Sequence, residues 1–497
     1  MSVVTVSAPR HYVDRGWPAI AATIEIEGHC YEVYYRASQG PLTTRADPFL
    51  AAALLPAMSI GAPLRVDGLV SASLVPHIAR VQDILSAWYK PLRKVAVQVA
   101  VQGGGAEAAL AGRGAGCFFS GGVDSFYSAL KNSDEITDLI FVHGWDIAVN
   151  DHPMREKATT ALRAAAADMG KNLLEVETNA RNLFDAYTEW NKESHGAGLG
   201  SAALTLPLRL SKVFVAATCA YDEMIPHGSH PLLDPLWGTD QIEIVHDGCE
   251  SDRWQKLAAV MHNPVVRRTL RSCWEHPHGE YNCCSCYGCL LNMTFLRLHD
   301  VLDKFSVYDQ PLDLDKLARL PVSHIATHRL EDALLEMAVR KGTDPELEQA
   351  LRTALSAGWV EVGRDTANEA QAQIGILREQ VTEALGRVWV LEQQRTRLQQ
   401  EMEQQKSRLQ PEMEQQKAGW QQEIAQSTEQ ARQWEAQSRS YELRARHCEE
   451  QTRAEQARVA QLEAQRYRLT SSTSWRLTAP LRTASEAWRG LRKGQKR

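Results

Sequence analysis

Two local patterns in this 497-residue chain could carry chemistry: a cysteine cluster and a glycine-serine-aspartate loop. Cys283, Cys286 and Cys289 follow a CxxCxxC spacing within NCCSCYGC, and Cys273 lies upstream in LRSCWEHPHGEYN. Thiolates at this spacing can turn around one ion, and four of them satisfy tetrahedral zinc (Zn2+). CxxCxxC also suits a [4Fe–4S] cluster, and Cys284 offers a spare thiol. The cysteines crowd far more tightly than a disulfide framework would use.

The second pattern is FFSGGVDSFYSAL, with Ser120, Gly121, Gly122, Val123, Asp124 and Ser125 between an apolar run and a helical start. Two glycines let the backbone turn so that successive amides point into one concavity at the positive end of the following helix, where an anion is favoured. Ser120 and Ser125 add hydroxyl donors, and Asp124 could orient magnesium (Mg2+). The loop lacks the Gly-Lys-Ser/Thr ending of a Walker A motif, which argues against a γ-phosphate hydrolase. The plain alternative is a Gly-Gly turn capped by Ser and Asp.

The surrounding elements match a loop of this kind. From Cys117 onward, apolar runs alternate with helical stretches (GCFFS, SFYSALKN, DLIFVHGW, MREKATTALRAAAADMG, NLLEVETN), which predicts an α/β domain with a doubly wound parallel sheet. LPLRLSKVFVAATCA reads as helix leading into strand, with Arg209 and Lys212 on the helix as candidate anion partners. HGSHPLLDPLWGTDQ then reads as a loop at the carboxyl edge of the sheet, where such folds bind ligands. His227, Ser229, His230, Asp234, Trp237 and Asp240 are therefore substrate candidates, with a polar loop of proline-set turns as the alternative.

SGGVDS is the signature of the PP-loop ATP pyrophosphatase superfamily, and the chain resembles that family over about residues 115–300. The resemblance implies an adenine nucleotide alpha hydrolase-like fold. It also implies that the loop holds the pyrophosphate part of ATP and that residues after the second strand, here His143 and Asp146, hold the adenine. Ser272-Cys273-Trp274 followed by CxxCxxC is similar to the end of the 7-cyano-7-deazaguanine synthases, where those cysteines hold a structural zinc. Two departures point to a different substrate: Cys284 stands where that family has glycine, and its short acidic, proline-containing substrate loop is missing. Asp124 and Ser120 are the residues carried over as catalytic.

Residues 1–105 show alternating runs such as AIAATIEIEG, expected to form a β-rich domain closed by one helix through Ile78, Val81, Ile84, Leu85 and Trp88. The PP-loop domain is placed at 110–310 and a helical connector at 311–365. Residues 366–470 form a long helical, coiled-coil-like segment, with an eleven-residue step pairing Leu398 and Met402, Leu409 and Met413, Trp420 and Ile424; Pro411 predicts a bend there. Residues 471–497 are a basic amphipathic tail holding Trp475, Leu477, Leu481, Trp488 and Leu491. SSTSWRLTAPLR resembles C-terminal segments of some bacterial glycosyltransferases and other surface-polysaccharide proteins. It suits an anionic membrane surface or a partner helix.

A net charge of −6 gives no global reason to expect nucleic acid. Neither a spanning apolar stretch nor a secretory signal is legible, so the expected location is cytoplasmic, with peripheral contact at the membrane. The expected function is an adenylating ligase acting on a small molecule or cell-surface precursor, with ammonia or an amine as nitrogen donor and self-association through the coil. Sulfur transfer is a second enzymatic option. The alternative class is a non-catalytic nucleotide-binding scaffold that recruits polysaccharide enzymes through coil and tail.

Overall fold

The computed structural model describes residues 3–102, 112–273, 279–320 and 325–356, together with parts of 402–440. The chain divides into two compact units, Met1–Glu361 and Val362–Arg497.

The first unit is mixed α/β. It opens with β1 (Val4–Val6), β2 (Arg10–Asp14), β3 (Trp17–Ile26) and β4 (His29–Ala37). Both tight hairpin turns place two residues at positive φ, Arg15-Gly16 and Glu27-Gly28. That is the geometry matching the twist of paired strands. α1 (Asp47–Ile60), β5 (Leu64–Ser71), α2 (Leu74–Trp88) and β6 (Val97–Gln102) follow. α2 is the expected helix, and Ile78, Val81 and Leu85 are buried on one face. α1 was not expected: it is buried from Asp47 through Met58, so it is apolar all round and lacks the periodicity that marks an amphipathic helix.

Next come β7 (Gly114–Phe118), α3 (Val123–Lys131), β8 (Ile136–His143), α4 (His152–Asp168), β9 (Asn172–Thr178), α5 (Ala180–Tyr187), α6 (His195–Ala203), β10 (Leu210–Ala216) and β11 (Glu243–Asp247). These five strands are parallel, in spatial order β11-β10-β7-β8-β9. Strand order therefore reverses between β7 and β10, and a crevice opens there beyond the carboxyl ends. Lys212 lies in β10 and Arg209 just before it, not on a helix. They pair with Glu135 at 2.7 Å and Asp138 at 2.5 Å, which removes both from the ligand edge.

The sheet continues past β9. β4 pairs antiparallel with β9 in the register Tyr35↔Thr178, and β3, β1, β5 and β6 extend it to eleven strands with β2 against β3. The stretch 1–105 is β-rich as expected, but its strands and those of 110–310 share one sheet. The physical reason is the β9 edge, whose backbone groups need partners that β4 supplies. Arg36 of β4 and Glu177 of β9 pair across this seam at 2.7 Å, both buried.

Alternate strand residues feed two cores. Phe118, Ile140, Val213 and Val215 join α1, α5 and α6 on one face, whereas Cys117, Leu139, Phe141 and Phe214 join α3 and α4 on the other. The second face also receives α7 (Arg253–Val260), α8 (Pro264–Thr269), α9 (Tyr287–Leu298), α10 (Leu314–Ala318), α11 (Ile325–Lys341) and α12 (Pro345–Ser356). Among the described residues no helix is long and apolar enough to cross a membrane.

In the second unit, residues 414–435 are helical, and Leu409, Trp420, Ile424 and Trp434 are each more than half exposed. Pro411 is itself helical, but residues 412 and 413 lie outside the described residues, as do the basic tail and most of the segment 366–470.

Candidate functional site

β7 delivers its chain to the crevice, and Phe119 N still bonds Ile140 O at 2.7 Å. Gly121 then takes φ +77°, and Gly122 is extended as the residue preceding α3. The turn is closed locally: Gly122 N donates to Ser120 Oγ at 3.3 Å and Ser125 Oγ donates to Gly122 O at 2.9 Å. A Cβ on Gly121 would meet Leu162 Cδ2 at 2.8 Å, so this position takes glycine on both conformational and steric grounds. The amides of α3 from Val123 to Ser125 precede its first helical bond, Phe126 N to Gly122 O at 2.9 Å, and so lack intrahelical acceptors.

Two cations pair with this loop, and a third residue, Arg271, joins it through its backbone. Arg253 Nη1 donates to Asp124 Oδ2 at 3.0 Å, and fully buried Lys256 lies 3.4 Å from Asp124 Oδ1 while donating to Ala217 O at 2.6 Å. Arg271 bonds Gly121 O through its amide at 2.8 Å and Asp146 Oδ2 through Nη2 at 2.8 Å. Asp124 is thus the counter-ion of Arg253 and Lys256. These cations escaped sequence reasoning because Arg253 is 129 residues from Asp124. The one local sign was the capping box Asp252–Gln255, which starts α7 at the crevice.

Of the two residues expected to hold adenine, only Asp146 is at the crevice, where it holds Arg271. His143 is buried with both ring nitrogens engaged: Nε2 bonds Glu175 at 3.0 Å and Nδ1 accepts from Arg155 at 3.3 Å. It braces the seam between the strands and has no nitrogen left for a nucleotide.

The substrate candidates divide similarly. His227, Ser229 and His230 line a small cleft beyond β10 and β11, with Thr218, Cys219 and His246. Asp234 is buried beneath it, accepting from Ser229 Oγ and His246 Nδ1, each at 2.7 Å. Burial opposes the charge on His246, but its interactions with Asp234 and Cys249 together outweigh burial and carry its pKa up to about 9. Burial is the main cause that pushes His227 and His230 down and takes His195 down to about 4, with neighbouring imidazoles adding to it, so His246 is the charged imidazole here. Cys219 feels the charges of Lys256 and Asp124, which ties the cleft to the loop.

Trp237 and Asp240 are not in this cleft. Trp237 is buried in the core, and its side chain occupies the space that a Cβ on Gly200 would enter at 2.6 Å. Asp240 precedes β11, at the opposite edge of the sheet, and accepts from Ser73 Oγ at 3.0 Å.

Cys273, Cys283, Cys286 and Cys289 converge with their Sγ atoms all within 4.8 Å of one another, each buried, in an arrangement that could hold a metal ion. Cys286 Sγ and Cys273 Sγ are 3.7 Å apart, against about 3.8 Å for two thiolates at tetrahedral zinc distances. Their hydrogen bond is the main reason that the Cys286 thiol is pushed up to about 12. Cys284 takes φ +53° and turns its thiol toward Asn282 O and Asp309, outside the cluster. The module also braces the crevice: Asn282 Oδ1 accepts from Ser272 N at 2.7 Å and Cys273 N at 3.2 Å, immediately after Arg271.

Comparison of the chain with family models, with curated proteins and with solved structures finds no match.

Proposed function

We propose that the 110–310 region is a PP-loop ATP pyrophosphatase that adenylates a carboxylate or carbonyl oxygen of a small molecule or cell-surface precursor, with release of pyrophosphate. The observation that carries this reading is the position of Ser120–Ser125 at the reversal of strand order, with Arg253 and Lys256 paired to Asp124 and Arg271 bonded to Gly121 through its amide. Three cations and the α3 amides suit a polyphosphate, and they stabilise charge developing on the departing pyrophosphate. Magnesium would neutralise the ATP phosphates, and Asp124 on the loop would be the carboxylate to help hold it.

The histidine-lined cleft beside Cys219 takes the second substrate in this reading. A nitrogen nucleophile, from ammonia or an amine, then displaces AMP. C–N bond formation is preferred to sulfur transfer because the chain lacks the basic balance expected for a nucleic-acid substrate. The four-cysteine group holds zinc as a structural ion, since sulfurs this close fit one ion better than a cube of four irons.

The scaffold reading is supported by the exposed apolar residues Leu409, Trp420 and Ile424, which suit self-association of the helical segment. In that reading, coil and tail bring glycosyltransferases to the inner face of the membrane. One experiment separates the two: incubate the full chain with magnesium, α-phosphate-labelled ATP and extract of its native cell, and analyse the products by mass spectrometry. AMP and pyrophosphate that vanish in Asp124→Ala support the enzyme. ADP and phosphate would overturn the pyrophosphatase assignment, and binding without turnover would favour the scaffold.

A further inference from the structure

Arg271 is built into the crevice in an unfinished way. Its side chain is only 4% exposed, yet among the described residues its guanidinium has a single carboxylate partner, Asp146, whose side chain is 46% exposed. Among the described residues, Nη1 is buried with no hydrogen-bond partner. Leaving a buried donor unpaired costs on the order of 1–3 kcal/mol, and more for a charged group. The backbone keeps the side chain in place nonetheless. The Arg271 amide bonds Gly121 O at 2.8 Å, and a Cβ on Gly121 would lie 3.5 Å from Arg271 Cβ. Ser272 and Cys273, the next two residues, are pinned by Asn282. A guanidinium is thus fixed against an anion-binding turn with one nitrogen lacking an acceptor.

Which anion completes it follows from the neighbours. The loop offers helix-terminal amides on one side, and Arg253 and Lys256 approach from α7 on the other. A planar fork suits two oxygens of one phosphate or of adjacent phosphates. Asp146 sits at the solvent end of the fork and is the partner that an incoming anion can replace, because its other side faces water.

We infer that Arg271 grips the pyrophosphate portion of a nucleotide seated on the Ser120–Ser125 loop, and that Asp146 is a latch which holds the guanidinium in the empty crevice and yields it to the phosphates. This rests on the nucleotide-binding reading above. The latch competes with the ligand, both by occupying Nη2 and by placing a negative charge beside the crevice.

The test is calorimetric titration of the full chain, with magnesium, against inorganic pyrophosphate, ATP and AMP. Arg271→Lys keeps the charge but loses the fork, and is expected to weaken pyrophosphate and ATP by roughly tenfold or more while leaving AMP little changed. Asp146→Asn, at an exposed position that tolerates change, is expected to tighten pyrophosphate by about two- to tenfold. Thermal unfolding of each variant checks the fold, and Asp146→Asn keeps the proposal testable if Arg271→Lys unfolds. Unchanged or weaker pyrophosphate binding in Asp146→Asn would overturn the latch. Equal loss of AMP and pyrophosphate in Arg271→Lys would overturn the assignment to the pyrophosphate portion. Normal pyrophosphate binding in Arg271→Lys sinks this inference alone, whereas a wild-type chain that binds neither ATP nor pyrophosphate sinks the nucleotide reading with it.

Discussion

Lys256 and Asp124 face each other at 3.4 Å across the start of α3, and the lysine is anchored from behind by the carbonyl of Ala217 at 2.6 Å. A fully buried ammonium thereby joins the carboxyl end of β10 to the Ser120–Ser125 loop through α7. Lys256→Met keeps most of the aliphatic volume but leaves the Ala217 carbonyl without its donor. We expect a stability loss of about 1–3 kcal/mol in urea unfolding, and at least tenfold weaker ATP binding by calorimetry. Unchanged ATP affinity in a folded variant would place the nucleotide elsewhere.

Gly121→Ala tests whether the loop geometry is required. It meets both a φ of +77° and a contact at 2.8 Å with Leu162, whereas Gly170 has φ +65° and nothing within 4 Å of an added Cβ. Both substitutions pay the backbone cost of about 1–2 kcal/mol. Only Gly121→Ala should also distort the turn. Denaturant unfolding is therefore expected to show a larger loss for Gly121→Ala than for Gly170→Ala, and ATP binding should fall in the former alone.

The cysteine module predicts one metal ion per chain, measured by inductively coupled plasma mass spectrometry. Cys289→Ser should lose it, and Cys284→Ser should retain it, because the Cys284 thiol turns toward Asn282 and Asp309. Chelation should also weaken pyrophosphate binding, since Asn282 and Cys273 hold the segment carrying Arg271. Retention of metal by Cys289→Ser would remove it from the ligand set.

The buried pair of Asp234 and His246 gives a pH dependence with a definite sign. The folded pKa of His246, about 9, lies above the ordinary value near 6.5. Its contribution, on the order of 3 kcal/mol at most, is therefore fully present below about pH 6.5 and lost as pH rises through about 9. Asp234→Asn should reduce that part of the alkaline decline in urea unfolding. In histidine-labelled protein, NMR titration should show the His246 pKa falling well below 9 once Cys249 is its remaining raising partner. A pKa still near 9 in the variant would assign the shift to another partner.

The parts of this protein that sequence alone determined are those set by neighbours along the chain. Ser120 to Ser125 lie between β7 and α3, where two glycines and a following helical run predict a turn, because backbone conformation there depends on the residues themselves. The CxxCxxC spacing likewise brings Cys283, Cys286 and Cys289 together within about a turn of chain, and α2 was legible from its repeating apolar face. Tertiary structure decided the rest. An alternating strand records that one face is buried but not which edge it joins, so only the fold could attach β4 to β9 and merge 1–105 with the core. α1 has no polar face to betray its period. Arg253, Lys256 and Arg271 read as ordinary helical or loop cations until packing removes them from water. Trp237, on a polar loop, and His143, at a strand end, resembled ligands. Whether each meets solvent, a carboxylate or a glycine across the core depends on atoms distant in sequence, because burial and ion pairing are properties of the assembled chain.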